Sequence, residues 1–205
     1  MTNGAQHWQT VYKTKQTHEV SWTQEVPFTS LQLVESFHLK KNAKIIDVGG
    51  GDSKLVDHLL DKGYTNLTVL DISAEALQRA KRRLGEKASL VNWIVSDIND
   101  FSPATTYDLW HDRAAFHFLT SPGEINNYVK LTAEAVKGFL AVGTFSLNGP
   151  KTCSGLNVKQ YAAGELADAF QSAFRKIKCF ADVHETPFHT RQEFMFCTFR
   201  KSPSD

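Results

Sequence analysis

The chain has 205 residues, 41% of them hydrophobic and 22% charged, and its 23 Lys and Arg against 22 Asp and Glu leave a formal net charge of +1. That makeup belongs to a globular chain long enough to bury a substantial core as one domain, residues 1–205. No basic run offers the counterion-releasing surface of a strong nucleic-acid binder, and no apolar run approaches the roughly 20 residues that cross a bilayer, so both partners are disfavoured.

The opening segment MTNGAQHWQTVYKTKQTHEVSW lacks the apolar stretch of a signal peptide, which predicts a cytoplasmic protein. It carries Trp8, Tyr12 and Trp22 and leads into a predicted helix at 27–37, so residues 1–40 read as a cap on the domain that follows. From there short β-branched runs alternate with amphipathic ones, the pattern of βαβ units and a parallel sheet. Strands are predicted at 44–48, 67–71, 91–96, 107–110 and 139–145. Between the first two, Leu55, Val56, Leu59 and Leu60 share a helical face that stops at Gly63. Ser73 caps a second helix carrying Ala76, Leu77, Ala80 and Leu84 before Gly85. Beyond Gly149-Pro150 a helix near 164–173 precedes two strand-like runs, 175–183 and 193–199, which the turn at Pro187 should pair antiparallel. Cys153, Cys179 and Cys197 are odd in number and widely spaced, which favours reduced thiols over a disulfide framework or a zinc cluster. No metal site is expected.

The most informative stretch is Ile45-Ile46-Asp47-Val48-Gly49-Gly50-Gly51-Asp52-Ser53, an apolar strand breaking into three glycines at the start of a helix. Glycines there let a ligand approach the main chain at the carboxyl edge of a sheet. The dinucleotide fingerprint G-x-G-x-x-G fails at its third glycine, where Lys54 stands. Asp47 before the loop and Asp52 at the helix start would moreover repel a pyrophosphate.

A ligand with a cationic centre and no phosphate suits those acids, and S-adenosylmethionine has both an ammonium and a sulfonium. Asp47 could attract the ammonium while the N–H groups of Gly49, Gly50 and Gly51 hold the carboxylate. Asp71, ending the second strand, is placed to accept both ribose hydroxyls. Asp97, after the third strand, could accept from the adenine amino group, with Ile72 and Ile98 packing the ring.

With these residues in view, positions 44–145 resemble a class I S-adenosylmethionine-dependent methyltransferase. Residues 45–51 match the family's first motif, Asp71 its second-strand acid and Asp97 its third-strand acid. TYDLWHDRAAFHFL at 106–119 resembles the strand and loop that line its reaction centre. The resemblance extends through 138–146 and 174–200 and departs from the family at Gly50 and Asp52. It implies an α/β, Rossmann-like core at 44–200: a seven-stranded sheet, mostly parallel with an antiparallel C-terminal strand, and helices on both faces.

The resemblance further implies methyl transfer to a small-molecule acceptor, by a monomer or weak homodimer. A protein lysine or N-terminal amine is the alternative acceptor, and a nicotinamide-dependent oxidoreductase or a noncatalytic cofactor-binding module are the other readings. His111 is assigned to the methionine end of the cofactor, and Asp112 or His117 to the acceptor as catalytic residues. The competing reading makes Asp112 a helix cap, pairs Arg113 with a surface acid and packs the histidines as aromatics. Trp22 or Tyr12 could face the sulfonium as part of an aromatic lid. Cys153, in the loop after the fifth strand, reads as an ordinary thiol more readily than as a ligand for a soft electrophile. His184 and His189 read as residues of a hairpin tip.

Overall fold

The computed structural model of the protein describes residues 3–203. Seven strands form one sheet in the order β3-β2-β1-β4-β5-β9-β8. They are β1 (Ile45–Val48), β2 (Leu67–Asp71), β3 (Val91–Val95), β4 (Tyr107–Arg113), β5 (Val136–Phe145), β8 (Phe174–Glu185) and β9 (Arg191–Lys201). The first five run parallel, and β9 is antiparallel to both β5 and β8.

The sheet faces follow from strand alternation. Ile46, Val48, Leu70 and Trp110 pack one face against Tyr128 of α5 (Pro122–Ala135) and Leu166 and Phe170 of α6 (Ala163–Phe170). Ile45, Leu67, Val69 and Leu109 pack the other against α2 (Phe28–Ser36), α3 (Leu55–Asp61) and α4 (Ala74–Leu84). Ser73 caps α4 by accepting from the Ala76 N–H, and Ser121 with Glu124 forms a capping box on α5.

The opening segment is α1 (Asn3–Thr14), whose Val11 and Tyr12 are buried. Arg79 of α4 ties down its end by donating to the carbonyls of Tyr12 and Lys15. After β5 the chain makes a small hairpin, β6 (Thr152–Cys153) and β7 (Leu156–Asn157). Its two linking residues, Ser154 and Gly155, sit at φ 52° and 80°, the conformation a two-residue hairpin turn requires.

Two sequence expectations are corrected. Reduced thiols were expected throughout, yet Cys179 and Cys197 form a disulfide. They lie 18 apart in the chain, but the β8–β9 hairpin sets them directly opposite each other. Cys153 remains a buried free thiol. His184 does not sit at the hairpin tip but inside β8, buried, with its Nε2 on the Ser21 carbonyl at 2.7 Å and its Nδ1 3.2 Å from the Gln24 amide. It pins the segment carrying Trp22. His189 does occupy the turn, at φ 59°.

Candidate active site

A cavity of about 510 Å³ opens where the carboxyl ends of β1–β4 meet α1 and the segment before α2. β1 lies between β2 and β4, and the chain leaves the sheet on opposite sides of it, the place where open α/β sheets bind ligands. Asp47, Gly49, Gly50, Asp71, Ile72, Asp97, Ile98, His111 and Trp22 all line the cavity. Gly51 stands just behind, where a Cβ would come within 2.5 Å of the Tyr12 hydroxyl.

The loop tolerates only glycine for a steric reason as well as a conformational one. Gly49 and Gly51 hold φ of 65° and 51°, the left-handed region that favours glycine. Gly50 has ordinary φ, but a Cβ there would lie 2.7 Å from both Asp47 Oδ2 and Val69 Cγ1. Lys54 does not offer the loop a free cation, because it is paired with Glu25.

The acids are not equivalent. Asp47 is engaged: His111 Nδ1 lies 2.7 Å from its Oδ1, and His111 Nε2 is 2.9 Å from the Ser30 hydroxyl. A carboxylate can only accept, so Nδ1 donates to it. Asp71 takes the Ser73 N–H on Oδ1 at 2.7 Å. Burial pushes its carboxyl up to about 7; the Ser73 and Gly51 N–H groups oppose the shift, and Asp52 and Asp47 add to it. Asp97, just beyond β3, accepts from the Asn99 N–H at 3.0 Å and takes its side-chain amide at 3.1 Å. Asp52, raised by burial, accepts from the Thr17 hydroxyl at 3.2 Å and has Arg79 at 3.9 Å.

Aromatic rings close the cavity from the N-terminal side. Trp8 packs edge-on against Trp22 and Phe118, at centroid distances of 5.6 and 5.2 Å, and all three line the cavity with Tyr12. α1 therefore contributes cavity wall: of the aromatic residues of the opening segment, Trp8, Tyr12 and Trp22 line the cavity, and Phe28 does not. Trp8, Val11 and Tyr12 stand at helical spacing, the signal that could have found it.

The two residues assigned to catalysis lie elsewhere. β4 runs on to Arg113, so Asp112 is part of the strand, on the face toward α5. Asp112 is fully buried, accepting from the Tyr128 hydroxyl at 2.6 Å and from the N–H groups of Ala115 and Phe116 at 2.9 and 3.1 Å. It caps the 3-10 turn that follows, and burial raises its carboxyl to about 6. His117 is fully buried against Phe145 and Phe118, with the Phe145 N–H 3.3 Å from its Nδ1. Burial and the Arg113 charge push it down to about 3. Neither is among the residues lining the cavity. The competing reading of Arg113 changes too: among the described residues it pairs with no acid within 4.0 Å, and it lines the cavity with its Cζ 4.8 Å from the centre of the Phe194 ring.

Comparison with known proteins agrees with this geometry. Residues 45–137 match the family model of a methyltransferase domain. The chain is thus similar to a methyltransferase domain over 93 of its 205 residues, the stretch that holds the glycine loop and the acids at 47, 71 and 97. A malonyl-[acyl-carrier protein] O-methyltransferase of Ilyobacter polytropus is 32% identical to it over 92 residues, 44% of this chain and 34% of that protein. The chain spans about a third or less of the curated relatives it matches.

Solved structures share the fold of the methyltransferase domain across nearly the whole chain. One, from the conversion of a disulfide bond into a thioacetal group during echinomycin biosynthesis, superposes with a TM-score of 0.77 at 16% identity, covering 97% of this chain and 93% of that one. The N-methyltransferase NodS of Bradyrhizobium japonicum, in complex with S-adenosyl-L-homocysteine, gives 0.69 at 18% identity over 88% of this chain and 90% of that one. Among the described residues no helix is long and apolar enough to cross a membrane.

Proposed function

We propose that the protein binds S-adenosylmethionine and transfers its methyl group to a small-molecule acceptor. The observation that carries this reading is the convergence of Asp47, Asp71 and Asp97, from three adjacent strands and their ends, on one cavity beside a glycine loop whose neighbouring Lys54 is paired with Glu25. Such a wall suits a cationic, phosphate-free nucleoside and opposes a dinucleotide. Asp71 accepts from the ribose, Asp97 from the adenine amino group between Ile72 and Ile98, and Asp47, steered by His111, faces the ammonium. The rings of Trp8, Tyr12, Trp22 and Phe118 supply π-faces that favour a sulfonium over the neutral thioether left after transfer.

Methyl transfer is an in-line displacement at a carbon already activated by the sulfonium, so orientation and exclusion of water do most of the work. With both nitrogens of His111 engaged and Asp112 and His117 in the core, the site suits an acceptor that arrives as a competent nucleophile. A cavity of about 510 Å³ between α1 and the sheet suits a compact acceptor better than a protein side chain on its backbone. The proposal includes a cytoplasmic enzyme acting as a monomer or weak homodimer, which fractionation and gel filtration test.

The cofactor is tested by thermal unfolding with S-adenosylmethionine, S-adenosylhomocysteine, NAD and NADP, since a ligand bound only by the folded state raises the midpoint. The first two should stabilise the protein. Stabilisation by NAD alone would sink the reading. Transfer of a labelled methyl group from the cofactor to a metabolite extract tests the reaction, and binding without transfer would favour a noncatalytic module.

A further inference from the structure

Of the acids that line the cavity, Asp47, Asp52, Asp71 and Asp97 come from the β1–β3 side of the sheet, and Glu124 comes from the first turn of α5. The opposite wall, built from β4 and the β6–β7 hairpin with Phe194 of β9 behind Arg113, carries a cation. Arg113, the last residue of β4, lines the cavity there, together with Cys153 of β6. Its guanidinium is held in place: Nη1 donates to the Trp22 carbonyl at 3.2 Å, and the planar group lies over Phe194 of β9. Nη2 is buried and has no hydrogen-bond partner among the described residues.

Among the described residues no carboxylate is in contact with this cation. Arg113 makes no ion pair within 4.0 Å among the described residues. The acids whose charge reaches it are occupied, Asp182 by the Thr29 hydroxyl at 2.6 Å and Asp47 by His111. Cys153 supplies no counter-charge either, because burial pushes its thiol up to about 11. Burial lowers both His117 and His184, and the Arg113 charge adds to each shift. A guanidinium with a buried, unsatisfied N–H is costly to maintain, and such a group in a native site calls for an absent partner.

We infer that Arg113 binds an oxyanion of the methyl acceptor, of the carboxylate class, on the β4 side of the cavity. This rests on the cofactor reading, which assigns the β1–β3 wall to S-adenosylmethionine and leaves the β4–β9 wall to the acceptor. Arg113 is then a specificity-determining residue: it selects anionic acceptors, and the fixed fork sets the angle at which they meet the methyl group. Trp22 links the two halves, its carbonyl holding Arg113 while the residue itself lines the same cavity.

The test uses the full chain saturated with S-adenosylhomocysteine, whose binding is first measured by calorimetry. A panel of small aliphatic and aromatic carboxylates, acetate to benzoate, is then titrated beside the corresponding primary amides, with ligand-observed NMR as the readout. At least one carboxylate should bind saturably and about tenfold or more tighter than its amide, the margin expected of a charge-assisted pair. Arg113→Met should erase that margin while keeping the affinity for S-adenosylhomocysteine within about twofold, and Arg113→Lys should keep part of it. Amides binding as tightly as the acids, or no carboxylate binding to the saturated wild-type protein, would overturn the inference without recourse to any variant. A tenfold loss of S-adenosylhomocysteine affinity in Arg113→Met, in a protein that still unfolds cooperatively, would also overturn it by placing the guanidinium on the cofactor's own carboxylate. If S-adenosylhomocysteine does not bind the wild-type protein, the cofactor reading itself has failed, and the first titration shows that separately.

Discussion

Asp71→Asn changes one oxygen to an amide at the position proposed to accept the ribose hydroxyls, and the native residue sets a measurable pH dependence for the comparison. Burial holds the free Asp71 carboxyl at about 7. A protonated carboxyl offers a donor where the ribose also offers donors, so the cofactor selects the ionised form. Apparent affinity then follows the ionised fraction, roughly a tenth at pH 6 and nine-tenths at pH 8, so binding should tighten about tenfold between those values. Binding near neutrality should also release a proton, because occupation of the site favours the carboxylate over the acid. Asn cannot titrate and loses charge-assisted acceptance, a cost of about 1.5–3 kcal/mol, or roughly tenfold to over a hundredfold in affinity at pH 8. Calorimetry with S-adenosylhomocysteine at pH 6, 7 and 8, in two buffers of different ionisation enthalpy, reads both quantities. A wild-type affinity flat across that range, matched by the Asn variant, would refute the assignment of Asp71 to the ribose.

Three further outcomes follow from the geometry. Gly50→Ala places a Cβ 2.7 Å from Asp47 Oδ2 and Val69 Cγ1, so Asp47 must leave His111 or the loop must move; S-adenosylhomocysteine affinity should fall by about tenfold or more, and unchanged affinity would separate Asp47 from the cofactor. Tyr128→Phe strips the partner from the Trp110 indole N–H at 2.9 Å and from Asp112 Oδ2 at 2.6 Å; urea unfolding should show a loss of about 1–3 kcal/mol with cofactor affinity intact. His117→Phe should leave the pH profile of methyl transfer unchanged, since His117 is held down to about 3 and lies outside the cavity wall; a well-folded variant that lost a neutral-pH limb of the profile would restore His117 to the chemistry.

The wall proposed for the cofactor was readable as a place in the fold, because its residues are tied to strands and their ends. Once 45–48 and 67–71 were strands, Asp47 and Asp71 had to emerge at one edge of a parallel sheet. The acceptor half was not, because its positions depend on strand length and distant pairing. Ending β4 at Trp110 put His111, Asp112 and Arg113 in a loop, where all three could face a ligand. The strand runs through Arg113 instead, and alternation then sends Asp112 to the α5 face while His111 and Arg113 line the cavity. The same rule explains the disulfide: only the β8–β9 register brings Cys179 and Cys197 together, and that register depends on the hairpin turn. α5 went unnoticed although its Ser121-Pro122 start and Glu124 form a capping box that local sequence does carry.

The distribution of charge around the cavity bears on direction as well as binding. On the proposed reading, the acids of β1 and β2 and Asp97 beyond β3 would draw the cationic cofactor to one wall and Arg113 an anionic acceptor to the other. The reacting atoms then meet near the ends of β1 and β4, beside the glycine loop, where the Trp8, Trp22 and Phe118 rings exclude water. In that dry setting the sulfonium also attracts the acceptor anion, adding to the pull of Arg113 while the methyl group is still on the cofactor. Transfer leaves a neutral thioether, and that part of the attraction disappears. Held by Arg113 alone on one side and no longer paired across the cavity, the methylated acceptor is bound less tightly than the substrate it came from, which favours release over product inhibition.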